Sequence, residues 1–350
     1  MALCQDTAYL RMFDGPRFIA QSQIKKNSKW GSLMEFTTLG RTGLKVSVAT
    51  LGCGGGSALG LKYGKGEQHA VDLVKKAMDL GVNFIDTANA YDSEAAVGLA
   101  IKDMSRDQIV ISTKHHAAKG GSHKSAEEVI AGLENSLRQL QTDYVDIFHL
   151  HGVGPKNIEH GISLVPHLLK EKEKGKIRFL GITESAPSDP THQSLSRALD
   201  EDYFDVMMFA FSLMNHNARD ILFPRTLAKN VGTMIMFVVR SLFSVPGRLQ
   251  RDIQELVDKG QLPNWFAETD DPLGFLVHEG GATSVMDACY RYARHEKGAD
   301  SILFGTGSPE HLKTNLASIL APPLPLEDTA KIDEYFGHLK GVGLDFPGRK

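Results

Sequence analysis

The chain has 350 residues, of which 42% are hydrophobic and 23% are charged, and its formal net charge is −3. A chain of this length and composition can bury a large core, which excludes disordered and fibrous proteins. The small net charge, without a dense run of lysine and arginine, argues against nucleic acid as a partner. The apolar runs are strand-sized and the three cysteines lie far apart, so we predict a soluble, cytoplasmic protein without a disulfide framework.

Residues 1–33 show no periodicity and no apolar block of the kind found in secretion signals, so we interpret them as an N-terminal extension. From Met34, two short β-prone segments flank Gly40 and Gly43, which predicts a hairpin. We assign residues 34–322 to one folded domain. Residues 323–350 are expected to form a C-terminal helix, over about 328–339, and a tail that packs outside this domain.

After the hairpin, short β-branched runs alternate eight times with amphipathic segments. The predicted strands span residues 46–51, 83–87, 109–114, 144–151, 179–182, 206–211, 233–239 and 301–304. Leu133, Leu137 and Leu140 share one helical face, and Ser125 with Glu128 forms a capping box before it. Strict alternation implies parallel strands, in an open doubly wound sheet or a closed barrel. Eight repeats favour a (β/α)8 TIM barrel.

One predicted connection, residues 240–283, is more than forty residues long. Loops between strands and helices usually have two to six residues, and a longer one is often a functional lid or binding loop. It carries Trp265 and Phe266, which either contact the substrate or form the packing core of the loop itself. A purely decorative insertion is the alternative.

Ionisable residues follow three consecutive strands. Asp86 lies near the end of the second strand and Tyr91 five residues beyond it, while Lys114 ends the third strand and His151 ends the fourth. The carboxyl ends of barrel strands meet at one mouth, where substrates bind. Each residue alone could be a helix cap or a packing residue, but together they predict an active site.

These four side chains suit a proton transfer that is coupled to a hydride transfer. A carbonyl that accepts a hydride becomes an alkoxide and needs a proton, yet a tyrosine with its usual pKa of about 10 holds its proton too tightly near neutrality. A charged Lys114 beside Tyr91 would lower the pKa of Tyr91, and Asp86 would keep Lys114 charged. His151 would orient the substrate oxygen.

The sequence resembles the aldo-keto reductase superfamily from about residue 34 to about residue 320. The matching segments are LGRTGLKVS, GVNFIDTANAY, ISTK, DYVDIFHLH, GKIRFLGIT and GSPEHLKTN. The resemblance implies a barrel that binds a nicotinamide cofactor, NADP(H) by family default, with Asp86, Tyr91, Lys114 and His151 as the catalytic tetrad. It implies an oxidoreductase that interconverts an alcohol and a carbonyl of an aldehyde, ketone or sugar, with Tyr91 as general acid/base.

Three expected cofactor positions near the nicotinamide depart from the family pattern. Thr183 and Glu184 stand where relatives usually carry Ser–Asn, so the hydroxyl is kept and the amide is lost. Met208 replaces a glutamine. Phe211 stands where an aromatic residue, usually tyrosine, stacks on the nicotinamide ring, and stacking requires only a π face.

Other expected cofactor positions follow the eighth strand. Gly305 and His311, or Gly307 in a shorter variant of the motif, stand where many relatives carry basic residues that bind the adenosine 2′-phosphate. Because arginine–phosphate pairs are strong, their absence makes NAD(H) plausible as well. Asn315 keeps the position used for adenine, and backbone amides near Ser308 could receive a phosphate. Substitute cations for the 2′-phosphate would be Arg240, Arg248 or Lys313.

The substrate is expected to be a small carbonyl or alcohol compound. We expect His115, His116 and Trp265 to contact it, because they combine polar and aromatic surface beside the tetrad. Such a mouth would suit a sugar or a polyfunctional ketone as well as a simple aldehyde.

Three alternative hypotheses each fit part of the sequence. The segment LGCGGGS suggests a Rossmann fingerprint, but Ser57 takes the third glycine position and Asp86 comes 34 residues after Gly52 instead of about 20. A metal-dependent hydrolase would use the histidines His115, His116, His149 and His151. For His149 alone, a buried histidine with satisfied hydrogen bonds is the simpler interpretation. The resemblance also allows a non-catalytic, cofactor-binding regulatory subunit, and Glu184 and Met208 keep that hypothesis open.

Overall fold

The computed structural model describes residues 34–345; the predicted extension, residues 1–33, and residues 346–350 lie outside the described residues. Eight parallel strands close into a barrel, and helices follow every strand, so the predicted (β/α)8 TIM barrel is confirmed. The strands are β1 (Ala49–Gly52), β2 (Phe84–Asp86), β3 (Val110–His116), β4 (Val145–Val153), β5 (Ile177–Glu184), β6 (Val206–Ala210), β7 (Gly232–Met236) and β8 (Ser301–Phe304).

The α-helices of the described residues surround these strands. They are α1 (Glu67–Asp79), α2 (Glu94–Ile101), α3 (Ala126–Leu140), α4 (Ile158–Glu173), α5 (Gln193–Ala198), α6 (Ala218–Ile221), α7 (Phe223–Lys229), α8 (Ser241–Ser244), α9 (Arg248–Asp258), α10 (Val285–Arg294), α11 (Pro309–Ile319) and α12 (Leu326–Phe336). None of the helices within residues 34–345 is long and apolar enough to cross a membrane.

Helix α3 shows how the local sequence determines an element. The Glu128 amide donates to Ser125 Oγ at 3.2 Å and the Ser125 amide donates to Glu128 Oε2 at 2.7 Å, so the predicted capping box is present. The predicted apolar face, with Leu133 and Leu140, is buried against the barrel. Burial of each such side chain contributes about 1.5–3 kcal/mol, which fixes the side of α3 that faces the strands.

The predicted hairpin closes the amino-terminal end of the barrel. Its strands, Phe36–Thr38 and Lys45–Ser47, pair antiparallel, and Gly43 adopts a positive φ of 69° in the turn. Leu39 and Leu44 from this hairpin pack with Phe84 inside the barrel. The hairpin therefore fills the barrel interior at the amino ends of the strands, and the open mouth lies at their carboxyl ends.

The long connection after β7 is folded. Helices α8 and α9 and two short 3-10 turns occupy it before α10 begins. Helix α12 begins two residues earlier than predicted and covers the outside of this region, where Phe336 packs near Phe266.

Candidate active site at the barrel mouth

The four side chains predicted from the strand ends meet at the mouth. Asp86 is the last residue of β2, Lys114 and His151 lie near the ends of β3 and β4, and Tyr91 lies in the 3-10 turn that follows β2. The parallel register places Asp86 beside Ser112 and His149 beside Lys114. Because side chains alternate along each strand, Asp86, Lys114 and His151 all point to the inside of the barrel.

A buried ion pair forms the floor of this site. Lys114 Nζ lies 2.6 Å from both carboxylate oxygens of Asp86 and donates to the Thr87 carbonyl at 2.8 Å. Ser112 Oγ donates to Asp86 Oδ1 at 2.8 Å. Burial raises the pKa of Asp86. Burial is also the largest single influence on Lys114 and acts to lower its pKa, but the contacts with Asp86 and Tyr91 together exceed it and raise the pKa of Lys114. The ammonium is therefore held charged and in one orientation.

Tyr91 lies between this ion pair and His151. Its hydroxyl is 3.4 Å from His151 Nε2, and Lys114 Nζ lies 5.1 Å from the centre of its ring. A Cβ atom at Gly54 would come within 2.4 Å of the ring, so the glycine-rich stretch after β1 provides space for the tyrosine. This contact explains a glycine that the Rossmann hypothesis would have assigned to a phosphate.

The electrostatics of Tyr91 differ from the sequence-based expectation. Burial raises the pKa of Tyr91 above its usual value. The charge of Lys114 acts in the predicted, lowering direction, but desolvation of the phenol is the larger effect in the free protein. The expected net lowering of the Tyr91 pKa is therefore not observed, and the phenol is protonated at neutral pH.

His151 is a neutral imidazole at the mouth. Burial, and then the charge of Lys114, hold the pKa of His151 well below its usual range. Its ring stacks on that of His116 at a centroid distance of 4.2 Å, and His116 Nδ1 donates to the His151 carbonyl at 3.0 Å. The stack brings His116 to the site, as predicted for a residue beside the tetrad.

His115 and His149 do not reach the mouth. His115 lies under α3 against Gly132, with Nδ1 bonded to the His116 carbonyl and Nε2 facing Lys124, so its predicted substrate contact is wrong. His149 is buried inside the barrel, over Gly181. Within residues 34–345 neither of its ring nitrogens makes a hydrogen bond of normal geometry, and the Ile182 backbone is the hydrogen-bonding group that acts on it, so the expectation of a fully satisfied histidine is met only in part.

Trp265 belongs to the packing core of the long connection. Its ring stacks on Phe266 at 3.8 Å and meets Tyr335 of α12 edge-on at 5.6 Å. Of the two predicted roles, the structure supports the packing role. The predicted substrate contact of Trp265 is therefore wrong. Its ring packs against Phe266 of the long connection and Tyr335 of α12.

Glu184 is committed to a buried structural network. Its carboxylate accepts from His192 Nδ1 at 2.6 Å and from the Ala210 amide at 2.7 Å. His192 Nε2 lies 3.1 Å from Asn217 Oδ1, an amide oriented by its contact with the Pro190 carbonyl. Both ring nitrogens face acceptors, so His192 is an imidazolium, and Glu184 is its counterion instead of the predicted cofactor ligand.

The other predicted cofactor residues near β5 and β6 lie partly inside and partly outside the barrel. Thr183 Oγ1 accepts from the Gly152 amide at 2.7 Å, and Met208 lies in the inner core. Phe211, by contrast, is fully buried outside the barrel and stacks on Tyr292 at 5.7 Å. The prediction that Phe211 faces the nicotinamide is wrong, because β6 ends at Ala210 and the chain turns away after it.

The aromatic residue at this part of the mouth is Phe237, directly after β7. It is half-buried, and its positive φ of 65° is rare for a residue with a bulky side chain. Such strain is concentrated at functional sites. Phe237 could not be identified from the sequence, because nothing in its neighbours distinguishes it from Phe211, the buried aromatic residue after the preceding strand.

The loop after β8 leads to the start of α11. Ser308 caps this helix, accepting from the amides of Glu310 at 3.2 Å and His311 at 3.4 Å, while Gly305 and His311 are exposed. Asn315 lies partly exposed one turn further along. Two residues that the sequence analysis missed, Lys65 and His69, approach the same loop: Lys65 Nζ is 3.2 Å and His69 Nε2 2.8 Å from the Gly307 carbonyl.

Neither alternative class gains support from this geometry. Within residues 34–345, no three His, Cys, Asp or Glu side chains are placed to share a metal ion. The histidines of the hydrolase hypothesis point in different directions, since His115 faces α3 and His151 faces Tyr91. The regulatory-subunit hypothesis offers no explanation for an intact buried ion pair beside an accessible phenol.

Residues 50–336 match the family described as "Aldo/keto reductase family". L-galactose dehydrogenase from Arabidopsis thaliana is 35% identical over 298 residues, which are 82% of this chain and 88% of that protein. Aldo-keto reductase YhdN from Bacillus subtilis is 26% identical over 322 residues, 86% of this chain and 93% of that protein. The holo form of aldo-keto reductase AKR11C1 from Bacillus halodurans has the same fold, with a TM-score of 0.65 at 24% identity over 87% of this chain and 96% of its own.

The match extends over most of the chain and includes every barrel strand except the first residue of β1. It contains the segments on which the sequence resemblance rested, except LGRTGLKVS at residues 39–47, which precedes the matched range. The chain belongs to the aldo/keto reductase family and is an oxidoreductase that acts on carbonyl and alcohol groups.

Proposed function

We propose that this chain interconverts a carbonyl and an alcohol with a nicotinamide dinucleotide, and that Tyr91 exchanges the proton. One observation carries the proposal: the Tyr91 hydroxyl lies 3.4 Å from His151 Nε2, beside the buried pair of Lys114 and Asp86. A phenol, a neutral imidazole and a fixed cation around one accessible point form a site for charge that develops on a substrate oxygen.

These contacts determine which group donates and which group accepts the proton in each direction of the reaction. In the reducing direction Tyr91 gives its proton to the substrate oxygen, and Lys114 stabilises the phenolate that remains. In the oxidising direction the phenolate takes the proton from the substrate hydroxyl. Among residues 34–345 no group pairs with His151 Nδ1, so we place the ring proton on Nε2, from which it is donated to the substrate oxygen.

The residues of the other half of the mouth fit a dinucleotide. Helix α11 starts with an exposed Gly305 loop and the Ser308 cap, and the amides at a helix N-terminus attract phosphate. We assign Thr183, Met208 and Phe237 to the nicotinamide side, and Gly305, Ser308 and Asn315 to the adenosine side. When bound, the nicotinamide supplies or accepts the hydride.

We propose that NADP(H) and NAD(H) are bound with similar affinities. Gly305 contributes no side chain, and His311 offers a 2′-phosphate an imidazole instead of a guanidinium or ammonium group. Lys313 is exposed on α11, and Lys65 reaches the Gly307 carbonyl. These cations are single lysines, and a lysine binds phosphate less specifically than a bidentate arginine does.

We propose a sugar as the substrate. The relative with 35% identity is named L-galactose dehydrogenase, and the same tetrad side of the mouth presents the half-buried imidazole of His116 next to His151. Imidazoles and backbone carbonyls recognise hydroxyl groups by hydrogen bonding. Because His116 and His151 are both uncharged, they suit an uncharged polyol better than an anionic acid.

The experiment is Tyr91→Phe in the full-length chain. We expect kcat to fall by about 10²–10⁴-fold, because the variant loses the proton but keeps the ring, while dinucleotide affinity changes by less than about twofold. The matched control is Tyr144→Phe, at the opposite end of the barrel, where the ring packs on Arg106. Turnover of Tyr91→Phe at the rate of the control would refute the assignment.

The substrate is tested by nicotinamide absorbance with both dinucleotides. L-galactose and other aldoses, simple aldehydes and ketones are compared in both directions by kcat/KM. A sugar as the best substrate supports the proposal. Higher kcat/KM for simple aldehydes than for every sugar would reject the substrate class but leave the role of Tyr91 intact.

A further inference from the structure

The last described residues of the chain cross the barrel mouth on the side of β5–β7. Leu344 packs against Ala186, Ala210, Met236 and Phe237, which follow or end these three strands, and it is almost fully buried. An apolar side chain of the tail therefore fills the half of the mouth that faces the tetrad.

This tail, residues 341–345, is anchored at both ends. The Gly341 amide donates to Asn215 Oδ1 at 2.7 Å. At the other end, Arg240 Nη2 donates to the Asp345 carbonyl at 2.6 Å and Ser241 Oγ donates to Asp345 Oδ2 at 3.1 Å. Arg248 Nη2 lies 2.9 Å from the same carboxylate oxygen. Arg248 and Ser241 thus hold the carboxylate of Asp345, and Arg240 holds its backbone carbonyl. The other edge of the Arg248 guanidinium pairs with Asp252 at 2.7 Å.

Arg240 connects this anion site to the catalytic half. Its guanidinium carbon lies 3.9 Å from the centre of the Phe237 ring, and its charge acts on Tyr91 in the direction that lowers the Tyr91 pKa. Only one of its nitrogens has a hydrogen bond in the described part of the chain, to the Asp345 carbonyl. Arg240 therefore has donors left for an anion at the mouth.

The tail and a dinucleotide need the same groups. A planar nicotinamide beside Tyr91 requires the apolar surface around Phe237, which Leu344 covers. An anionic diphosphate attached to it requires donors just outside that surface, where Arg240, Ser241 and Arg248 now hold Asp345. Guanidinium and hydroxyl donors that hold a carboxylate and a carbonyl can also hold phosphate oxygens, so a diphosphate can replace Asp345.

We propose that Arg240, Ser241 and Arg248 form a diphosphate-binding site that Asp345 of the chain itself occupies in the free protein, so that a dinucleotide binds by displacing residues 341–345. The ligand class is an organic or inorganic diphosphate. The identification of the diphosphate as part of a nicotinamide dinucleotide rests on the proposed function.

The first test compares dinucleotide affinity in the full-length protein, in Asp345→Ala and in a chain that ends at Lys340. When a ligand requires a minor open state, its apparent affinity falls by the fraction of open molecules, and removal of the competing contact restores it. We expect both variants to bind NADPH and NADH about tenfold more tightly, measured by quenching of protein fluorescence. Asp202→Asn is the matched control, since Asp202 pairs with Arg41 at the hairpin end of the barrel.

Unchanged or weaker binding in both variants would overturn the proposal, because the tail would then be neutral or part of the dinucleotide site. Hydrogen exchange of residues 341–345 gives a second readout that does not depend on activity. Faster exchange of these amides on addition of inorganic pyrophosphate supports the anion site even if no dinucleotide binds, in which case the proposed function fails and the site stands. Unchanged or slower exchange with pyrophosphate overturns the site.

Discussion

The two halves of the barrel mouth are built on different principles. In the half formed by β2–β4, charged groups are buried and paired: Lys114 has Asp86 within 2.6 Å. In the half formed by β5–β7, the tips are apolar, and the chain covers them with Leu344. Rigid, paired charges suit a group that must be oriented at the moment of reaction, whereas an apolar surface under a removable segment suits a ligand that enters and leaves.

The largest effect is expected for Asp86→Asn, on the paired side. The substitution leaves the Lys114 ammonium buried without its counterion, so we expect kcat/KM to fall by at least about 100-fold and the free energy of unfolding to fall by about 3–5 kcal/mol. Steady-state kinetics and urea denaturation measure the two effects.

Asp146→Asn is the matched control for Asp86→Asn. Asp146 is buried at the start of β4 and pairs with Arg106 at 2.8 Å and Arg178 at 2.5 Å, far from the mouth. We expect a comparable loss of stability with kcat/KM nearly unchanged. Equal losses of activity in both variants would mean that Asp86 acts through stability alone.

A smaller effect is expected on the covered side, where two phenylalanines can be compared. Phe237→Leu removes the π face at the mouth, and we expect dinucleotide affinity to weaken by about five- to tenfold, as measured by fluorescence titration. Phe211→Leu alters the outer core beside Tyr292 and should lower stability with no change in affinity. The reverse pattern would restore Phe211 as the stacking residue.

The smallest effect is expected for Glu184→Gln, below the covered half. Burial raises the pKa of Glu184, and the contact with Glu184 outweighs desolvation and raises the pKa of His192. Both shifts favour protonation in the folded state, so the stability that the imidazolium pair contributes is present below about pH 6.5 and is lost as the pH rises through the folded pKa of His192.

The free energy of unfolding of Glu184→Gln should therefore lie about 1–3 kcal/mol below that of the native chain near pH 6, and this gap should narrow towards pH 9. Urea denaturation at both pH values measures it. A gap that widens with pH would show that His192 is neutral in the folded protein. Because Glu184 does not face the mouth, kcat should change by less than about threefold.

The sequence predicted best the parts that repeating patterns determine. The period of two along strands and the alternation with helices place all eight strands and the three strand ends of the tetrad. The family motif predicted side-chain directions less well for residues just after a strand. There the direction depends on the backbone conformation of the turn that follows the strand. Phe211 and Phe237 each follow a buried strand, and only the backbone conformation separates the outer core from the mouth.

Long-range contacts of loops were beyond reach. Nothing near Glu184 in the sequence indicates His192 as its partner, and nothing near Asp345 indicates Arg240 or Arg248. Such pairs depend on how loops from different strands pack over one another. The sequence could predict the residue types of the site, but not that Glu184 would bind His192 and Ala210 instead of a cofactor.

The stacked pair of His116 and His151 is held neutral by its burial. Burial lowers the pKa of both imidazoles, that of His151 well below its usual range, so both take up a proton at a lower pH than a free histidine does. The charge beside Tyr91 therefore comes from the Lys114–Asp86 pair, and the two imidazoles contribute hydrogen-bonding groups without a charge at neutral pH.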